Sequence, residues 1–63
     1  MIIYAIDDET NALEYIIRKI KSAVPDAEVY GFSNAQAAID SAHNIPFDVA
    51  FMDIQNTQWM LLQ

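Results

Sequence analysis

The chain opens with an unbroken apolar run, Ile2-Ile3-Tyr4-Ala5-Ile6, and three acids follow at once, Asp7-Asp8-Glu9. A short β-branched run without polar alternation fits a strand covered on both faces, as in a parallel sheet. The period then changes. Leu13, Ile16, Ile17, Ile20 and Val24 recur at helical spacing, which predicts an amphipathic helix. Arg18, Lys19 and Lys21 fall late in that helix, where positive charge complements its dipole. Pro25-Asp26 ends it. Residues 27–32 (AEVYGF) read as a second, less apolar strand, nearer an edge. Ser33-Asn34-Ala35-Gln36 fits a capping box. Ala35, Ala38, Ile39 and Ala42 give the next helix a small-residue face, and Asn44-Ile45-Pro46 closes it. Residues 47–52 (FDVAFM) form a third strand that ends at Asp53.

The element order is β-α-β-α-β, an α/β pattern. Parallel strands joined by right-handed crossovers are the expected assembly. With the two helices on opposite faces, the three-stranded parallel sheet takes the order 2-1-3. That is the first half of a flavodoxin-like doubly wound fold. No linker, repeat or low-complexity segment interrupts it. The last stretch, residues 56–63 (NTQWMLLQ), carries no turn glycine and no further crossover.

Composition narrows the field. The chain has 63 residues, 54% of them hydrophobic, with one Gly, two Pro and no Cys. This excludes disorder, a disulfide scaffold and a cysteine zinc site. A domain of about 60 residues buries only roughly 60% of its unfolded surface, so a lone copy is marginal and association is expected. Nine Asp and Glu against three Lys and Arg give a formal net charge of −6. Such a surface disfavours nucleic acid and anionic membranes and favours divalent cations or basic protein partners. The apolar opening is too short for a signal segment, no run approaches a membrane span, and the cytoplasm is the expected location.

The candidate chemistry lies in the acids. In doubly wound sheets ligands bind beyond the carboxyl ends of the strands, at the switch point. The order 2-1-3 brings Asp7, Asp8 and Asp53 there, on strands about 4.8 Å apart. Two like charges about 4 Å apart repel by roughly 4 kcal/mol at an effective dielectric of 20. The arrangement calls for a shared proton or a bound cation, and hard oxygen donors suit Mg²⁺. The plainer reading is that Asp7-Asp8-Glu9 caps the first helix and Asp53 merely ends the third strand.

Ile6-Asp7-Asp8-Glu9 after the first strand, with Phe47-Asp48-Val49-Ala50-Phe51-Met52-Asp53-Ile54 as the third, resembles the receiver domain of two-component response regulators. The resemblance spans residues 1–55, a partial receiver domain, and leaves 56–63 as a divergent tail. It implies a phosphoacceptor that takes a phosphoryl group from a histidine kinase, not a turnover enzyme. By the resemblance Asp53 is the phosphoacceptor and a metal ligand. Asp8 binds Mg²⁺ directly, Asp7 acts largely through water, and Gln55 offers a backbone carbonyl. Asn56-Thr57-Gln58-Trp59-Met60-Leu61 replaces the family's Met-Pro-x-Met-Asp-Gly. The family's switch hydroxyl and phosphate-binding lysine, which end later strands, have no counterpart. Lys19 and Lys21 are no substitutes, since helical rise places them about 15 Å away. The resemblance thus implies a chain cut after the third strand, with phosphotransfer impaired.

An open third strand and the apolar Trp59–Leu62 segment predict a homodimer formed through both. The alternative function follows: a non-catalytic, dimerising interaction fragment whose acidic site is vestigial. His43, the only histidine, reads as a solvated helix-end residue, and Tyr4, Tyr15 and Tyr30 as partial core. The Asp-x-Asp-x-Thr motif of haloacid-dehalogenase-type phosphatases is absent from Asp7-Asp8-Glu9-Thr10-Asn11 and from Asp53-Ile54-Gln55.

Overall fold

A computed structural model describes residues 1–53. The elements run β1 (Ile2–Asp7), α1 (Thr10–Ala23), β2 (Glu28–Phe32), α2 (Ala35–Ala42) and β3 (Val49–Asp53). The strands form one parallel sheet in the order β2-β1-β3. The α/β architecture expected from the apolar pattern is therefore observed. Ile3 to Ile6 of the central strand are buried, as a strand covered on both faces requires.

Strand pairing decides which residues share a face. Tyr4 lies opposite Tyr30 on one side and Ala50 on the other, while Ala5 lies opposite Gly31 and Phe51. Neighbouring residues along a strand point to opposite faces. Tyr4, Ile6, Ala38 and Ala50 form the buried cluster beneath α2, flanked by Ile2, Tyr30, Phe32, Ala42, Phe47 and Met52. The other face meets α1. A Cβ added at Gly31 would come within 2.6 Å of Ile17 Cδ1 and 3.6 Å of Leu13 Cδ1. The missing Cβ at Gly31 leaves the space that the end of the Ile17 side chain occupies.

Several boundaries shift from the sequence expectation, each for a local reason. Helix α1 stops at Ala23, and Val24 is its C-cap, donating its N–H to the Ile20 carbonyl at 2.8 Å. A residue before proline is pushed out of the helical region, so Val24 does not extend the apolar stripe and is exposed. The N-cap of α2 is Asn34, whose Oδ1 accepts from Ala37 N at 2.8 Å, so the helix starts one residue later than a Ser33 capping box requires. Gln36 donates to Asp40 instead of reaching back to the cap. Ile39, assigned to the apolar face of α2, is 53% exposed, whereas Ala38 is buried. The third strand begins at Val49, not at residue 47. Phe47 sits before it and stacks on Tyr4, with ring centroids 4.8 Å apart.

Tyr4 is more than partial core, because it is fully buried at the centre of the sheet. Its ring also meets Phe32 at 4.8 Å and Tyr30 at 5.9 Å. Its hydroxyl donates to the Ile45 carbonyl and lies 2.9 Å from Ser41 Oγ. One side chain of β1 thus holds the end of α2 and the turn that follows it. Tyr15, by contrast, is exposed on α1, beside Lys19. His43 caps the C-terminus of α2, the helix-end place expected of it. Among the described residues, no helix is long and apolar enough to cross a membrane.

Two outcomes are expected. Replacing Tyr4 by Phe keeps the rings in contact but removes the part-buried hydrogen bond to the Ile45 carbonyl, at a cost of about 1 kcal/mol; a urea unfolding curve should show the lowered midpoint. Tyr30 titrates above the ordinary phenol value of 10.0, chiefly because the negative Glu28 carboxylate disfavours a second anion beside it. Tyr30 also donates to Glu28 Oε1 at 3.3 Å. As pH rises past that value the unfolded chain loses its phenol proton first, so folding weakens through the folded-state pKa of Tyr30. The Cζ resonance of Tyr30 should report the raised midpoint, and Glu28→Gln should lower it.

Candidate functional site

The carboxyl end of the sheet gathers the acids because two of them belong to the strands. Asp7 is the last residue of β1 and Asp53 the last of β3, and the two are direct partners in the parallel register. Asp53 ends its strand as expected, whereas Asp7, expected just past β1, closes that strand's ladder. Partnered residues share a face, so both side chains leave the sheet on the side of Ala5 and Phe51, the side that carries α1. Neighbouring parallel strands hold such partners about 4.8 Å apart.

Burial separates the two. Asp7 is 4% exposed and is the one buried charged residue among those described. Its Oδ1 accepts from the backbone N–H of Glu9 at 2.9 Å, which turns the chain out of β1 and into α1. Asp53 is exposed. Asp8 is exposed as well, in the two-residue turn between β1 and α1, and it takes part in an interaction of its own.

Glu9 is the N-cap of α1. Its Oε1 accepts from Ala12 N at 2.9 Å, and its carbonyl accepts from Leu13 N at 2.9 Å. Helix capping and an acidic pocket, opposed as readings of Asp7-Asp8-Glu9, are thus divided among the three residues. Glu9 takes the cap, Asp7 shapes the turn, and both still face the same space. Asp7, Asp8, Glu9, Ala12 and Asp53 line one open cleft of about 380 Å³. The positive end of the α1 dipole adjoins it and partly offsets the concentration of negative charge.

The cleft brings together Asp7, Asp8 and Asp53, as the topology predicts. Gln55 and the tail 56–63 lie outside the described residues. Glu9 and Ala12 were not assigned to the site by sequence. Glu9 is an unusual capping residue, since Ser, Thr, Asp and Asn lead at that position, and Thr10 beside it reads as the stronger signal. Arg18, Lys19 and Lys21 lie in the second half of α1, about 12–16 Å along the axis from its first residue.

The donors are carboxylate oxygens, which fit a hard divalent cation in kind. Their present spacing does not form a closed cage. Among the described residues, no three His, Asp or Glu side chains converge tightly enough to hold a metal as they stand. Mg²⁺ asks for less than a cage, because it commonly takes one or two carboxylates and keeps several waters.

No family model matches the chain, and neither the curated proteins nor the solved structures contain a significant match to it.

The cap is testable by itself. Glu9→Ala should cost about 1 kcal/mol, the usual effect of losing a capping acceptor. Glu9→Gln, which keeps the acceptor oxygen, should cost less. The ellipticity at 222 nm and the urea midpoint of the two variants measure the difference.

Proposed function

We propose that this chain is a phosphoacceptor module of the response-regulator receiver type, with Asp53 as the residue that takes the phosphoryl group. The observation that supports this most is the register pairing of Asp7 with Asp53 at the carboxyl end of adjacent parallel strands. It sets an exposed carboxylate beside a buried, fixed one, in a cleft that Asp8 also lines. An exposed carboxylate is accessible to a bulky donor, and a fixed one gives the site an oxygen donor at a set position.

In this reading a carboxylate oxygen of Asp53 attacks the phosphorus of a phosphohistidine on a partner histidine kinase. The phosphorus–nitrogen bond breaks, the imidazole keeps the electron pair, and an acyl phosphate forms on Asp53. The module accepts the group and does not turn substrate over. Asp7, Asp8 and Asp53, with the backbone carbonyl of Gln55, would hold Mg²⁺, which would supply charge neutralisation for the transferring oxygens. Asp7 holds its place through Glu9 N, so the approach of Asp8 and Asp53 would complete the set. The cytoplasm, where such kinases present their phosphohistidine, is the proposed location.

Titration of the intact chain with Mg²⁺, with and without beryllofluoride as a phosphoryl mimic, tests this. Saturable shifts of the amides around Asp53 are expected, enhanced by beryllofluoride and absent in Asp53→Asn. No response at millimolar Mg²⁺ overturns the proposal.

A second reading has its own support. Phe51 is 46% exposed on β3, and with Ile16 it lines an open apolar recess on the α1 face. Among the described residues β3 pairs only with β1, so its outer edge is open to another strand. In this reading two copies pair through β3 and the tail, and the acids are vestigial. Light scattering in the tens of micromolar should then give twice the monomer mass, with Phe51→Lys shifting it toward one; a folded wild-type monomer would sink it.

A further inference from the structure

We draw no further inference here: the strongest candidate, the apolar hollow of about 220 Å³ between α2 and β3 lined by Tyr4, Ala38, Ile39, Phe47 and Met52, has nothing in the structure to show what covers it.

Discussion

The buried phenol of Tyr4 connects parts of the molecule that the backbone ladder alone does not join. Ladder hydrogen bonds tie β1 to β2 and β3, but they leave α2 held only by side chains. The Tyr4 ring fills the space beneath α2, between Phe32 and Phe47. Its hydroxyl reaches Ser41 and the Ile45 carbonyl, where α2 has ended and the chain turns toward β3. Aromatic pairs of this kind contribute about 0.5–1.5 kcal/mol each beyond their buried area. In so small a core, where alanines supply much of the remainder, no other side chain among the described residues meets three rings and two hydrogen-bond partners at once. The ladder with β1 places β3 and Asp53, while Tyr4 holds α2 and the turn that leads into that strand.

The cleft itself illustrates how a parallel sheet places charge. Strands that run the same way end at the same edge, so residues that finish β1 and β3 meet without any dedicated device. The cost is electrostatic, since like charges collect where a cation or donor is to be met. Two features moderate it here: the N-terminus of α1 lies beside the cleft, and Asp7 accepts a backbone hydrogen bond. Both lower the local negative potential while leaving Asp53 open to solvent.

Much of this was legible in the residues. The continuous apolar run of β1, the helical spacing from Leu13 to Ile20 and the acids at two strand ends were enough to infer the sheet order and to bring Asp7, Asp8 and Asp53 together. What escaped was decided by contacts rather than pattern. Nothing in the spacing separates Ser33 from Asn34 as a cap; the reach of the Asn34 side chain to Ala37 N settles it. Ile39 reads as core by hydropathy, yet α2 turns Ala38 toward the sheet and leaves Ile39 half exposed. In sequence Asp7-Asp8-Glu9 reads as a capping group; the turn made by Asp7 is what selects Glu9 among them as the cap of α1.

The join between Ile2 and Asp48 bears on how the sheet assembles. Ile2 N donates to Asp48 Oδ2 at 2.8 Å, and Asp48 N donates to the Ile2 carbonyl at 2.8 Å, closing a separation of 46 positions in the chain. The central strand is the first of the five described elements, and one of its two neighbours is the last. Its outer ladder cannot form until almost all the described residues exist and their ends have found each other. Closing a long loop carries an entropic cost that only the completed pairing offsets, and contacts of this sequence separation slow folding. The strand order that gathers the acids at one end of the sheet thus also makes its β1–β3 ladder the pairing of greatest sequence separation.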